Sequence, residues 1–179
     1  IGFHLEEYVG LDENAPQSFR RLLLDRLVKR VPMAEFHEIR GEAANPAAVC
    51  ENYAALLQTR PPDFAVLGIG EDGRLGFNAQ LPFDFGNSNP VRVVELDDAC
   101  RQRLVRDGTF VSLKDVPRRA ISFTLPAVLA CPRLFVIASG AKTSQAVRDC
   151  LHDEIATSYP ASLLRNHAGA DLFLDHKAS

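Results

Sequence analysis

Phe64-Ala65-Val66-Leu67-Gly68-Ile69-Gly70-Glu71-Asp72-Gly73 decides how the fold is read. Pro61-Pro62 stops any preceding helix, because proline lacks the backbone donor and clashes with the turn before it. Phe64 to Leu67 then forms a short continuous apolar run, the pattern of a strand buried on both faces in a parallel sheet. Gly68 to Gly76 follows as a glycine-rich loop. A second run of this kind, Leu134 to Ala138, exits into Ser139-Gly140-Ala141-Lys142-Thr143. A third strand, Ile1 to Glu6, exits at Glu6-Glu7-Tyr8.

Helical segments alternate with these strands. Ser18 caps a helix from Phe19 to about Val31, with Leu23, Leu24, Leu27, Val28 and Val31 at helical spacing. Asn45 precedes Pro46 at the first position of a helix running to about Gln58. Asp97 opens a helix to about Asp107, and Lys142 to His152 is another. A short helix ends at Cys131, and Ala161 to Arg165 is a helical turn. Further strands are expected at Phe36–Arg40, Val91–Leu96, Arg119–Leu125 and Leu172–Leu174, and residues 78–90 read as irregular. The alternation predicts one α/β domain over residues 1–179: an open, mostly parallel sheet with helices on both faces, three-layered and Rossmann-like. The chain begins at Ile1, inside a strand, so further residues upstream of it are expected.

Composition narrows the function classes. With 179 residues, the chain is long enough to bury roughly 70% of its unfolded surface. A net charge of −3, from 20 basic and 23 acidic residues, gives no footprint for nucleic acid. No apolar run is long enough for a transmembrane helix, so no membrane partner is expected. Cys50, Cys100, Cys131 and Cys150 are spaced by 50, 31 and 19 residues, which fits no zinc or redox motif. Reduced, buried thiols in a cytoplasmic protein are the expectation. The five histidines show no ligand spacing for a metal.

In an open parallel sheet, ligands bind beyond the carboxyl ends of the strands. The three exits named above would therefore bring carboxylates and one lysine to a shared edge. Two motifs there invite a nucleotide reading and fail it. Residues 68–73 fit G-x-G-x-x-G, but that fingerprint must open a helix, and Arg74-Leu75-Gly76-Phe77-Asn78 leads instead into the irregular stretch. Glu71 and Asp72 would also repel a pyrophosphate. Gly140-Ala141-Lys142-Thr143 lacks the spacing of a P-loop. A lysine at a helix start after a buried strand still suits a single phosphate group, by backbone donors plus a point charge. A solvated helix-start lysine is the competing account. Asp97 and Asp98 fit helix-start charges better than catalysts.

These residues resemble a known family. His4-Leu5-Glu6-Glu7-Tyr8-Val9-Gly10-Leu11, followed by Pro16-Gln17-Ser18-Phe19, is similar to the DEYVGL…PQS segment of glucosamine-6-phosphate deaminases. Residues 68–78 resemble that family's G(I/V)GxDGHIAFNEP loop, and Gly140 to Lys142 resembles its late phosphate-binding turn. Ser158 to His167 is similar to the segment before its last strand. The related 6-phosphogluconolactonases share the loop but usually carry DER where this chain has Glu6-Glu7-Tyr8.

The resemblance implies conversion of glucosamine 6-phosphate and water to fructose 6-phosphate and ammonia, without a cofactor. The pyranose opens, a carboxylate moves the C2 proton to C1, and the amine is lost by hydrolysis at C2. It places the first-strand carboxylate on Glu6, the loop aspartate on Asp72 and the ring-opening position on Arg74. Substrate-binding positions fall on Gly70, Gly73, Asn78, Lys142 and Arg106, with Arg103 as the alternative register for the phosphate arginine. The partner implied is a small sugar phosphate, and homo-oligomerisation remains open.

Three departures from the family alter the chemistry. Glu6 replaces the usual Asp, and one added methylene moves its carboxylate by ~1.5 Å. An uncompensated error of about 1 Å can cost ~10²-fold in rate. Glu7 is the adjacent carboxylate, but alternation along a strand points it to the opposite face. Arg74 stands where the ring-opening histidine is expected, and a guanidinium cannot accept a proton. Ala79 stands where the supporting glutamate is expected. An ion pair between Arg74 and Asp72 would then replace the relay and remove Asp72 as an acid. Three readings follow: a deaminase-like enzyme altered at ring opening, a catalytically silent sugar-phosphate binder, or a lactonase.

Overall fold

The computed structural model describes residues 1–78 and 89–179, so Ala79 and most of the irregular stretch fall outside the described residues. The chain forms two compact units, Ile1–Leu56 with Val91–Ser122, and Leu57–Pro90 with Phe123–Ser179. The architecture is mixed α/β with open, partly parallel sheets.

In the first unit the expected opening strand is divided. β1 (Gly2–Phe3) pairs in parallel with β3 (Phe36–His37), whereas β2 (Glu6–Tyr8) pairs antiparallel with β6 (Arg119–Phe123), Glu6 opposite Ser122. The break falls at His4, which is 1% exposed. Its Nδ1 accepts the Ile39 N–H at 3.3 Å, and its own N–H donates to the Tyr53 hydroxyl at 2.8 Å. The segment turns there because its partner changes. β5 (Val91–Glu95) completes the β2-β6-β5 sheet.

α1 (Phe19–Leu23) begins where Ser18 caps it, its Oγ accepting the Arg21 N–H. The expected helix to Val31 instead widens over Leu24–Val28, where Lys29 N–H reaches back five residues to the Leu24 carbonyl. α2 spans Pro46–Thr59. α3 (Asp98–Arg106) starts on Asp97, whose carboxylate accepts the Cys100 N–H at 2.7 Å, so Asp97 is a cap as expected. Tyr8 is fully buried, stacked on Phe19 and edge-on to Phe110, each at 5.3 Å between ring centroids.

The second unit carries a parallel sheet, β4 (Phe64–Gly68), β7 (Arg133–Ala138) and β8 (Ala170–Leu174), in the order β4-β7-β8. Register pairs Gly68 with Ile137 and Ala138 with Leu174. α4 (Leu125–Leu129) is capped by Thr124, and α5 (Ser144–His152) follows a single 3-10 turn, Ala141–Thr143. A longer 3-10 segment, Pro160–Asn166, precedes β8. Leu67, Leu134, Val136 and Ala138 line the buried face of the sheet. On the other face, Phe64, Val66, Ile137 and Phe173 are each about half exposed. All four cysteines are free and buried.

Candidate functional site

Parallel pairing of β4 with β7 makes the two strands end together, so the loops after them leave the sheet side by side. The first loop folds on itself. Gly70 N–H donates to the Arg74 carbonyl and Gly73 N–H to the Gly70 carbonyl, both at 2.9 Å, while Ile69 bridges Leu75 and Leu75 bridges Asn78. Gly73 has φ +74°, a left-handed conformation that favours glycine. Gly70 is required for space: a Cβ there would stand 2.7 Å from Arg74 Cγ and 2.8 Å from Asp72 Oδ1. The Asp72 and Arg74 side chains therefore lie over the Gly70 backbone.

Arg74 Nε is 3.8 Å from Asp72 Oδ1, the ion pair expected where the histidine relay is lost. The guanidinium also sits 6.0 Å from the Phe77 ring centroid. Asn78 is 1% exposed, and its Nδ2 donates to the Leu75 and Phe123 carbonyls, both at 2.9 Å. It braces the loop's end, and its Oδ1 has no hydrogen-bond partner among the described residues.

The second loop supplies the cation. Lys142 sits in the 3-10 turn before α5, two-thirds exposed, with Nζ 3.7 Å from Glu71 Oε1. Gly140, at φ +83°, donates its N–H to the Asp175 carboxylate, at 3.0 and 3.1 Å from the two oxygens. That donor, together with those of Ala178 and Lys177, holds the Asp175 carboxyl below the ordinary range. The expectation of free backbone donors beside the lysine is thus narrowed: Gly140 is already engaged by a carboxylate of the chain.

The remaining expected residues lie in the first unit. Glu6 opens β2 and is partly buried. Glu7 faces the other way, 3% exposed, and its carboxylate accepts from Tyr8 N–H, Ser18 Oγ and Arg20 N–H at 2.8 Å and from Phe19 N–H at 3.3 Å. It accepts the first N–H groups of α1 alongside the Ser18 cap. Arg106 ends α3 exposed, whereas Arg103 is 9% exposed with its guanidinium 3.5 Å from Cys100 Sγ. Among the described residues, no group of three or more His, Cys, Asp or Glu side chains could hold a metal ion. No described helix is long and apolar enough to cross a membrane.

Two contacts had no signal in the sequence. Buried Arg20 is ringed by Glu13, Glu38 and Glu42 at 2.8, 3.5 and 3.2 Å, acids scattered over three segments. Tyr159 packs its ring directly on Gly73, where a Cβ would come within 2.1 Å of Cζ.

Comparison with known proteins defines the class first. The fold matches a 6-phosphogluconolactonase from Trypanosoma brucei, with TM-score 0.73 at 16% identity over 98% of this chain and 72% of that one. It matches a monomeric glucosamine-6-phosphate deaminase more closely, with TM-score 0.87 at 29% identity, again over 98% and 72%. The class is therefore the superfamily that holds deaminases and lactonases of sugar phosphates. In sequence the chain is 32% identical to the glucosamine-6-phosphate deaminase of Lactococcus lactis over 99% of its own length and 74% of that protein. It is 33% identical to the Streptococcus pneumoniae enzyme over 98% and 73%. The chain belongs to the glucosamine-6-phosphate deaminase family. No family model matches it.

Proposed function

We propose that this protein acts on a hexosamine 6-phosphate, releasing ammonia and forming the ketose phosphate, with its phosphate anchored at Lys142. The observation that carries the reading is the meeting of the residue 70–74 loop with the Lys142 turn at the ends of neighbouring parallel strands. A carboxylate-bearing loop and a helix-start cation at one sheet edge suit a substrate with an anionic tail and a proton to be moved.

Asp72 is the loop carboxylate in this reading. Gly70 and Gly73 shape the turn that presents Asp72, and Asn78 braces the loop. No cofactor is needed: the C1 carbonyl of the open chain already acidifies the C2 proton. Arg74 cannot take a proton from the sugar ring, so ring opening falls to Asp72, to water, or to the spontaneous equilibrium.

The test is release of ammonia and fructose 6-phosphate from glucosamine 6-phosphate by the complete gene product. Turnover that disappears in Asp72→Asn supports the reading. The Arg74–Asp72 pair favours one second reading, a protein that binds sugar phosphates without turning them over. Calorimetric binding of glucosamine 6-phosphate with no ammonia from the wild type or from the Arg74→His, Ala79→Glu variant would select it.

A further inference from the structure

Segment 156–161 clamps the Asp72 turn from outside. The Tyr159 ring lies against the Gly73 backbone so closely that a Cβ on Gly73 would meet Cζ, Cε2 and the hydroxyl oxygen at 2.1, 2.2 and 2.6 Å. The Gly73 carbonyl accepts the Ala161 N–H at 2.9 Å. The Tyr159 hydroxyl donates to the Ala146 carbonyl in the first turn of α5, also at 2.9 Å. One residue thus touches the turn that presents Asp72 and the helix that follows Lys142.

We propose that Tyr159 is a positioning residue: its ring and hydroxyl fix the Gly70–Gly73 turn against α5 and so set where the Asp72 carboxylate stands relative to Lys142. The proposal rests on the reading that Asp72 acts on a substrate anchored at Lys142. Tyr159 need not touch the substrate. Gly73 is held in a left-handed conformation that a free loop would leave readily, and the ring blocks that escape on one side. The hydroxyl ties the same side chain to a main-chain carbonyl rather than to a mobile side chain, so the tether is short and rigid. Burial raises the phenol above its ordinary range, and the nearby acids Asp149, Asp153 and Asp72 act in the same direction, so the hydroxyl remains a donor throughout the working pH range.

A tether of this kind acts on rate more than on affinity. Loss of about 1 Å in the placement of a reacting group can cost ~10²-fold, while the phosphate anchor stays where it was. The experiment compares wild type, Tyr159→Phe and Tyr159→Leu in the complete gene product, with glucosamine 6-phosphate as substrate and inorganic phosphate as competitor. Tyr159→Phe keeps the ring and loses the hydroxyl, and it should lower kcat about 10-fold. Tyr159→Leu should lower it about 100-fold. KM and the inhibition constant of phosphate should stay within about twofold in both. A residue that merely supports the fold would leave kcat per folded molecule unchanged, and both variants at wild-type kcat overturn the inference alone. A wild type that releases no ammonia overturns the functional reading, and the inference falls with it.

Discussion

Glu71 and Lys142 meet at 3.7 Å, although seventy-one positions separate them in the chain. The contact exists because β4 and β7 are parallel neighbours in register, so a residue three beyond Gly68 and one five beyond Ile137 come to the same edge. Both side chains retain solvent, so the pair itself adds little to stability, on the order of 0–1 kcal/mol. In the proposed function the lysine would exchange this carboxylate for the substrate phosphate.

Replacing Lys142 with alanine should weaken inorganic phosphate as a competitive ligand by about 10–100-fold, the loss of one charge-assisted contact of ~1.5–3 kcal/mol. Glu71→Gln should act in the opposite direction, tightening phosphate by about 2–5-fold, because the Glu71 carboxylate no longer competes for the lysine. Titration calorimetry reads both. Equal affinity in wild type and Lys142→Ala would remove the anchor.

Arg74 blocks proton acceptance beside Asp72, and restoring an imidazole should relieve that block. The Arg74→His, Ala79→Glu variant is expected to raise kcat by at least about 10-fold, part of the ~10²–10⁴-fold that positioned proton transfer contributes. A coupled assay for ammonia measures it, and a double variant no faster than wild type would show that ring opening is not limiting.

Gly73→Ala meets two obstacles at once. A left-handed φ of +74° costs an alanine about 1–2 kcal/mol, and its Cβ would overlap the Tyr159 ring. The variant should lose most of its turnover while its circular dichroism stays close to wild type. Combining it with Tyr159→Leu should raise Tm relative to Gly73→Ala, because the overlap is relieved, but should recover no turnover, because the tether is lost.

His4 makes stability sensitive to acid. Burial is the main cause, with Arg20 adding to it, and the ring's pKa falls from an ordinary 6.5 to about 4. The unfolded chain therefore takes up a proton at His4 before the folded chain does. Stability linked to the neutral ring is complete above about pH 6.5 and is lost as pH falls from there to about 4. The loss approaches ~3 kcal/mol. Melting curves between pH 7.5 and pH 4.5 should show it, and His4→Asn should flatten the dependence.

Glu7→Ala removes the acceptor of Ser18 Oγ and of the Phe19 and Arg20 N–H groups. With those buried donors unmatched, a loss of about 2–4 kcal/mol is expected, or roughly 4–15 °C in Tm. Glu7→Gln should lose less, because one side-chain oxygen can still accept.

Much of this was legible in the chain itself. The apolar runs at 64–67 and 134–138, the caps Ser18 and Asp97 and the opposite facing of Glu7 follow from local rules, since strand alternation and helix capping depend on residues a few positions apart. The loss of a proton acceptor at Arg74 is likewise a fact of side-chain chemistry. Partner choice is different, because it depends on which distant segments come together. His4 divides the first strand since β1 finds β3 and β2 finds β6. Arg20 collects three acids from separate segments, Asp175 claims the Gly140 donor, and Tyr159 settles on Gly73. Local composition carries no record of such contacts, so packing alone decided them.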